Sequence, residues 1–309
     1  VGVNTLSSHQ INCLGQAMER TWGRSSYTGA PSPAGSALPY SATGSLEGNI
    51  MTVKCVMVVN LYQNGDIRAQ LIPFDTYDFQ DECLNEFIDN RFNIVLKSRQ
   101  LGMSTLVAAY SVWMAIFQRE KNILIIATKL AVAQNFIVKV KTMIRSLPKW
   151  LMLPEIVSNN KQQIQFSHGS LIKAIPTSED AGRSEALSLL IVDEAAFVRN
   201  FDTIWTGIYP TISTGGRVIL LSTPNGVGGQ YYQLYTEAES GLNEFNHMKL
   251  MWDVVPDRDE EWFQKTTNNM SKRQIAQEYL CDFTTSGETF MSEGDLEWVS
   301  KMVEPPIAR

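Results

Sequence analysis

The length of 309 residues predicts one large domain or two smaller ones, and a composition of 44% hydrophobic and 19% charged residues predicts that most of the chain is folded. A formal net charge of −6 argues against a protein that coats itself in nucleic acid, although a small local patch that grips DNA is compatible with it. Four widely spaced cysteines, three scattered histidines and the lack of a long apolar run argue against a disulfide framework, a zinc centre, a signal peptide and a membrane span, and they fit a reducing cytoplasm.

Residues 1–50 differ from the rest of the chain in composition. The stretch of residues 27–36 is small, polar and turn-prone, without sustained periodicity, and this predicts a flexible tail. Met51 directly precedes the first candidate strand. Two interpretations stay open: translation begins at Met51, or residues 1–50 are a genuine disordered tail.

From residue 51 onward, candidate strands and helices alternate along the chain. Several strands are continuous apolar runs, such as Leu189–Val192, which is typical of strands buried on both faces of a parallel sheet. A turn at His168-Gly169 predicts a hairpin inserted into this scheme. The predicted fold class is therefore α/β, a mostly parallel sheet with helices on both faces. The predicted strands are Val53–Leu61, Phe92–Lys97, Asn122–Ala127, Gln163–Phe166, Leu171–Ile175, Leu189–Asp193, Val218–Ser222 and Met248–Trp252, and helices are predicted near Gln80–Asn90, Ser104–Arg119, Ala131–Leu147, Phe201–Tyr209, Tyr231–Ser240 and Ser271–Phe283.

The second of these strands leads into a loop of residues 97–105, with the sequence KSRQLGMST. A buried strand, a tight turn and a helix start form the layout of a phosphate-binding loop, whose usual pattern is G-x-x-x-x-G-K-[ST]. Gly102 and Ser104 fit this pattern, but Met103 stands at the lysine position and Lys97 at the first glycine position. Either the loop does not bind a nucleotide, or the lysine has moved to the other end of the loop.

Two further apolar runs end in residues that suit phosphate chemistry. Asp193 and Glu194 follow one of them; a strand-end acid can help to hold Mg²⁺, and a second acid can polarise the attacking water. The other run is followed by residues 222–226, STPNG, which could touch the γ-phosphate or form an ordinary turn. Because ligands bind at the carboxyl ends of parallel strands, we expect these groups beside the loop.

The loop of residues 97–105, the acidic strand end of residues 190–197 and the turn of residues 222–226 together resemble the ATPase motor of tailed-phage large terminase subunits. Residues 72–80 are similar to the adenine-recognition segment of that family. The resemblance runs from about residue 55 to the C-terminus. It implies a P-loop NTPase fold of the ASCE type and a motor that uses ATP and Mg²⁺ to move double-stranded DNA into a procapsid.

The resemblance also implies roles for individual residues. Glu194 would activate water, and Asp193 would organise Mg²⁺ together with Ser104. Arg183, in the loop of residues 178–183, is a candidate arginine finger acting on a neighbouring subunit, although an ordinary solvated arginine fits it equally well. The adenine contacts would come from Phe79 and Gln80, the phosphate contacts from Lys97, Ser98, Gln100, Gly102, Met103, Ser104 and Thr105, and the coupling of hydrolysis to movement from Ser222, Thr223 and Asn225.

Met103 is where the chain departs from the family pattern. One branch of the family places its lysine at the start of the loop, where Lys97 stands, and a flexible ammonium group can reach the β- and γ-phosphates from either side. Arg99 supplies a second positive charge that can stabilise the transition state in cis, while Met103 packs beneath the loop. We therefore hypothesise that Lys97→Ala abolishes ATP hydrolysis.

Members of this family usually carry a nuclease domain after the motor. Residues 281–287 resemble the junction that leaves the motor, and no strand with a spaced set of acids follows, so we expect no nuclease activity. The acidic run of residues 257–261 is typical of a solvated helix start. The expected organisation is a tail over residues 1–50, a P-loop ATPase domain over residues 51–285 and a linker over residues 286–309.

The family resemblance implies three partners: double-stranded DNA, a portal protein and a small terminase subunit. It further implies a homo-oligomeric ring in the host cytoplasm that docks transiently on the procapsid, with no membrane contact. Two other interpretations remain. A helicase-type ATPase shares the acidic strand end but needs a second motor domain, and a catalytically inactive terminase-like module that binds ATP or a portal protein is supported only by Met103.

Overall fold

The computed structural model describes residues 56–63, 66–147, 154–177, 186–213 and 215–283. The predicted tail, the predicted linker and the loop that contains Arg183 lie outside these residues. Within them the chain forms ten strands and seven α-helices. The strands are β1 Val56–Gln63, β2 Asp66–Pro73, β3 Phe92–Lys97, β4 Asn122–Ala127, β5 Ile156–Asn159, β6 Gln163–Phe166, β7 Leu171–Pro176, β8 Leu189–Asp193, β9 Arg217–Ser222 and β10 Asn246–Leu250; the helices are α1 Asp78–Asp89, α2 Met103–Phe117, α3 Leu130–Ser146, α4 Phe201–Ile212, α5 Gly229–Glu239, α6 Glu260–Thr267 and α7 Lys272–Glu278.

Eight of the strands form one sheet, in the order β10-β3-β9-β8-β4-β7-β6-β5. The six strands from β10 to β7 are parallel to their neighbours, and β6 and β5 extend the sheet in antiparallel fashion. The mostly parallel α/β sheet expected from the sequence is confirmed. The remaining two strands, β1 and β2, pair with each other as a separate antiparallel hairpin.

The apolar strands divide their side chains between two cores, one on each face of the sheet. Val95, Ile125 and Ile191 point into a core formed with α1, α2 and α3, whereas Leu96 and Ile126 point into a second core formed with α4 and α5. A strand with both faces covered has no polar side to alternate with, which explains the continuous apolar runs. Helices therefore cover both faces, as predicted.

Helix α2 is the central helix of the first core. Ten of its fifteen residues are buried, and a helix that is apolar on all sides is stable only when it is enclosed. Its polar Ser111 is satisfied internally, because its hydroxyl donates to the carbonyl of Val107 at 2.7 Å. This burial fixes the position of the loop from which the helix begins.

Most of the predicted elements are confirmed within a few residues, including the hairpin at His168-Gly169, where Gly169 has φ +92°. The predicted strand Met248–Trp252 was placed too late in the chain, because β10 is Asn246–Leu250. The predicted helix Ser271–Phe283 ends at Glu278. Strands β2 and β5 were missed altogether. The acidic run is a helix start, as expected, with Asp259 as the N-cap of α6.

Candidate functional site

Three strand ends meet at one edge of the sheet. Strand β9 lies between β3 and β8, so their last residues Ser222, Lys97 and Asp193 are neighbours. All three side chains are buried, although each is polar or charged. A buried charge is costly unless it is paired or hydrogen-bonded, so such a cluster indicates a site rather than packing alone. The expectation that these strand ends come together is confirmed.

The loop between β3 and α2 has the backbone of an anion-binding turn. Gln100 and Gly102 both lie in the left-handed region, with φ +59° and +74°. Within the described part of the chain, the N–H groups of residues 100–104 donate to no main-chain carbonyl. Free N–H groups at the start of a helix, reinforced by the positive end of its dipole, form a phosphate site. Met103 is 2% exposed in the first core, so it packs beneath the loop as expected.

The side chain of Lys97, at the end of β3, reaches Glu194, the residue that follows β8. Its Nζ lies 3.3 Å from Oε1 of Glu194, and the lysine side chain is 7% exposed against 31% for the glutamate. Lys97 is therefore not a strand-end lysine that faces solvent. Glu194 itself has a left-handed backbone, with φ +57° and ψ +46°, which costs a non-glycine residue about 1 kcal/mol or more. Backbone strain of this kind clusters at functional sites.

Ser104 and Asp193 form the second polar contact of the site. The serine hydroxyl donates to Oδ2 of Asp193 at 2.7 Å, while the other carboxylate oxygen, Oδ1, is buried without a hydrogen-bond partner in the described structure. An ionised carboxylate with a free buried oxygen is a fit for a hard cation such as Mg²⁺. Among the described residues there is no cluster of three or more acids, histidines or cysteines that could hold a metal by itself. A Mg²⁺ ion at this place would thus need phosphate and water as further ligands.

The segment before α1 is tied to the phosphate loop through Gln80. This side chain is buried; its Nε2 donates to the carbonyl of Leu101 at 2.8 Å, and its Oε1 accepts from the N–H of Tyr77 at 3.2 Å. Nε2 also lies 2.7 Å from the place where a Cβ on Gly102 would stand, so only glycine fits there without displacing Gln80. Phe79 is buried in the first core and stacks on the exposed ring of Tyr77, with 5.7 Å between the ring centroids.

The turn after β9 is fastened to the backbone that follows Glu194. The hydroxyl of Ser222 accepts from the N–H of Ala196 at 3.1 Å, and the amide of Asn225 donates to the carbonyl of the same residue at 3.0 Å. Thr223, in the same turn, is also buried. The turn of residues 222–226 is therefore hydrogen-bonded to the backbone two residues beyond Glu194.

Two residues that sequence reasoning missed hold the loop from its outer side. Arg258 donates to the carbonyl of Gln100 at 2.9 Å and to that of Arg99 at 3.4 Å. Glu278 contacts the loop through its main chain and its carboxylate, and Arg99 Nε lies 2.6 Å from its Oε2. Nothing in the local sequence around these residues marks them, because their partners lie more than 150 positions away in the chain.

Lys139 is a further cation that the sequence did not single out. It lies on α3 and is exposed, yet the surrounding atoms partly desolvate its ammonium group and lower its pKa. The carboxylate of Asp193 acts in the opposite direction, and the ammonium group of Lys97 acts in the same direction as the desolvation. The ammonium group of Lys139 is thus close enough to Asp193 and Lys97 to interact with them electrostatically.

A parallel α/β sheet with a glycine-bearing loop before a central helix, and with an acid at the end of a nearby strand, defines the P-loop NTPase class. The chain belongs to a family within that class: a family model described as terminase large subunit, T4likevirus-type, N-terminal, matches residues 94–297. The family expected from the sequence is therefore confirmed. Among the described residues, no helix is long and apolar enough to span a bilayer.

Solved structures share the fold. The large terminase ATPase domain of Thermus phage P74-26 superposes with a TM-score of 0.59 at 20% identity, over 68% of this chain and 95% of that one. The large terminase of bacteriophage HK97 has a TM-score of 0.51 at 17% identity, over 74% of this chain and 47% of that one. The large terminase of a thermophilic bacteriophage, solved with ADP, has a TM-score of 0.57 at 12% identity and is covered over 54% of its length. The chain thus spans about half the length of the last two terminases.

Proposed function

We propose that this chain hydrolyses ATP and that hydrolysis drives double-stranded DNA into a viral procapsid. The observation that carries the proposal is the meeting of three groups at one sheet edge: a loop with free N–H groups, the Lys97–Glu194 pair and the Ser104–Asp193 pair. Membership in the terminase large-subunit family supports the same conclusion. Related terminases solved with ADP and with ATP-γ-S support ATP as the nucleotide.

The phosphates would be held by the loop backbone and by Lys97. The side chains of Ser98 and Gln100 belong to the same loop, and the N–H groups of Ser104 and of Met103 open α2 towards the ligand. Lys97 is paired with Glu194 here, and a phosphate group would offer its ammonium a more highly charged partner. Movement of the Lys97 ammonium group from Glu194 to the phosphate would leave Glu194 free to accept a proton from the attacking water.

Asp193 and Ser104 would hold Mg²⁺ beside Thr105, since the buried Oδ1 of Asp193 is free to accept a ligand. The ion would neutralise charge that develops on the phosphate oxygens. Arg99 would add positive charge from the same subunit and Arg183 from a neighbouring one. These two assignments rest on the family resemblance.

Adenine would lie against the segment that leads into α1. Tyr77 offers an exposed aromatic face there and is backed by the buried ring of Phe79. Gln80 is hydrogen-bonded to Leu101 in the phosphate loop. The segment that would bind the base and the loop that would bind the phosphates are therefore directly connected. Ser222, Thr223 and Asn225 would couple hydrolysis to movement through their contacts with Ala196.

The proposed partners are the ones that the family implies: DNA, a portal protein and a small terminase subunit, with a homo-oligomeric ring docked on a procapsid in the host cytoplasm. The test is ATPase turnover of the purified chain with Mg²⁺, alone, with portal protein and with duplex or single-stranded DNA. Glu194→Gln should retain nucleotide binding and lose hydrolysis by about a hundredfold or more. Absence of turnover in every mixture would overturn the proposal in favour of an inactive binding module, and stimulation by single strands alone would favour a helicase.

A further inference from the structure

A cavity of about 630 Å³ opens at the edge of the sheet where the parallel strands begin, opposite the phosphate loop. It lies between the second half of α2 and the residues that lead into β4, β8 and β9. Its volume falls in the range of sites that hold small molecules. Among the described residues that line the cavity, none is proposed to act on ATP.

One wall of the cavity is apolar and aromatic. The rings of Tyr110 and Trp113 on α2 are nearly parallel, at 21° to each other, with 5.7 Å between their centroids. Tyr110 is buried and Trp113 is partly exposed, so the indole ring is the one that a ligand can reach. Ile88, Met114 and Leu187 also line the cavity. Such a wall fits a flat apolar body, because contacts with aromatic rings are favourable.

Two cations line the same cavity, and both have hydrogen-bond donors that are not in use. Arg217 uses only Nη1 for its contacts with the carbonyls of Phe87 and Asn90, which leaves Nε and Nη2 without an acceptor among the described residues. The Nζ atom of Lys121 has no hydrogen-bond or ion-pair partner in the described structure either. The one acid among the described lining residues, Glu120, is exposed. The lining therefore carries a net positive charge.

The aromatic wall and the cations lie close to each other. Burial raises the pKa of the Tyr110 hydroxyl, and the charge of Arg217 acts in the opposite direction, so the guanidinium interacts electrostatically with this wall. Nε1 of Trp113 is buried without a hydrogen-bond partner in the described structure, which native proteins rarely tolerate. One ligand that combines a flat body with acceptor atoms can therefore contact both sides of the cavity.

We propose that this cavity is a second ligand site, separate from the nucleotide site, and that it binds a small organic anion with a flat apolar body. Arg217 and Lys121 would hold the anionic group, because guanidinium and ammonium groups form strong hydrogen bonds with charged acceptors. Trp113 would contact the flat body. The inference does not depend on ATP hydrolysis, since the cavity and the nucleotide site lie at opposite edges of the sheet.

The test uses two fluorescent probes, the aromatic anion 8-anilinonaphthalene-1-sulfonate and its uncharged relative N-phenyl-1-naphthylamine, which lacks the sulfonate. We expect the anion to bind the folded chain at one site, about tenfold tighter than the uncharged probe. Lys121→Met should weaken binding of the anion about fivefold and leave the Kd of the uncharged probe unchanged. Lys161→Met, the same charge change at an exposed residue between β5 and β6, is the matched control and should change neither Kd.

Energy transfer from tryptophan to the bound anion gives a second readout, which locates the probe. Trp113→Phe keeps an aromatic wall but should remove most of the transferred emission, whereas Trp205→Phe, on α4 against the second core, should keep it. A non-hydrolysable ATP analogue should not displace the anion.

Four results would each overturn the inference: equal affinity for the two probes, an unchanged Kd of the anion in Lys121→Met, undiminished energy transfer in Trp113→Phe, or displacement of the anion by the ATP analogue. If Lys121→Met does not fold, the comparison of the two probes on the unsubstituted chain still tests the proposal.

Discussion

The two ends of the central sheet use positive charge in opposite ways. At the end where the parallel strands begin, Arg91 donates to the carbonyls of Ile212, Ser213 and Gly216, and Arg217 donates to the carbonyls of Phe87 and Asn90. At the end where they finish, Lys97 and Arg99 are each paired with a carboxylate. Arg91 and Arg217 are thus bound to backbone carbonyls, whereas Lys97 and Arg99 form ion pairs with carboxylate side chains.

Helix direction accounts for this difference. The helices that follow the parallel strands run back along the sheet, so their carbonyl ends lie where the strands begin and the N–H end of α2 lies where they finish. Arg217 caps the end of α1 and Arg91 the end of α4, neither of which has a basic residue in its last turn. Cations complete the structure at the carbonyl ends, whereas at the N–H end an anionic ligand is expected.

The largest expected effect is the loss of ATP hydrolysis on removal of Lys97, the buried cation at the end where the parallel strands finish. We expect Lys97→Ala to abolish ATP hydrolysis, at least about a hundredfold, because the only buried cation of the described site would be lost. Lys249→Ala removes an exposed lysine from the neighbouring strand β10 and serves as the control. The measurement is steady-state ATP turnover per folded molecule. Near-normal turnover in Lys97→Ala would contradict the role of Lys97 in hydrolysis.

Gly102→Ala should weaken nucleotide binding by about tenfold. Its Cβ would stand 2.7 Å from Nε2 of Gln80, which would displace the contact with Leu101, and φ +74° would strain the backbone by about 1–2 kcal/mol. Gly241→Ala carries similar strain at φ +69° with nothing within 4 Å of the new Cβ. The two variants should therefore lose similar stability in urea unfolding, and only the first should lose affinity for the ATP analogue.

Arg217→Met tests the opposite end of the sheet. It keeps an unbranched apolar stem but leaves the carbonyls of Phe87 and Asn90 without their donor, so we expect the free energy of unfolding to fall by about 1–3 kcal/mol. Turnover per folded molecule should not change. A large loss of turnover without loss of stability would show that the two ends are not separate in function.

The free energy of unfolding should also depend on pH. Burial raises the pKa of the Cys83 and Cys281 thiols from 9.0 to about 12. Between pH 9 and about 12 the unfolded chain ionises these thiols while the folded chain keeps them protonated, so stability is fully present below pH 9 and falls as the pH rises, by about 1.4 kcal/mol per pH unit for each thiol. Urea unfolding at pH 7 and pH 10.5 should show a smaller loss for Cys83→Ala than for the unsubstituted chain. An equal loss would mean that Cys83 already ionises in the folded protein.

The sequence was most informative where local patterns carry the signal. The apolar runs that precede Lys97, Asp193 and Ser222 identified the site strands, because burial on both faces leaves an uninterrupted hydrophobic signature. Strand β5 escaped detection because most of its residues are exposed at a sheet edge. The contacts of Arg258 and Glu278 escaped because ion pairs and carbonyl contacts between distant segments leave no periodic trace.

The sequence by itself determined the sheet, the phosphate loop and the acidic strand end, since each depends on residues within a few positions of one another. Only the tertiary structure decided which groups meet. It paired Lys97 with Glu194 across the intervening strand β9, it directed Ser104 at Asp193, and it set Glu278 against Arg99. The physical reason is that local propensity acts along the chain, whereas the partner of a charge is chosen by the packing of segments far apart in it.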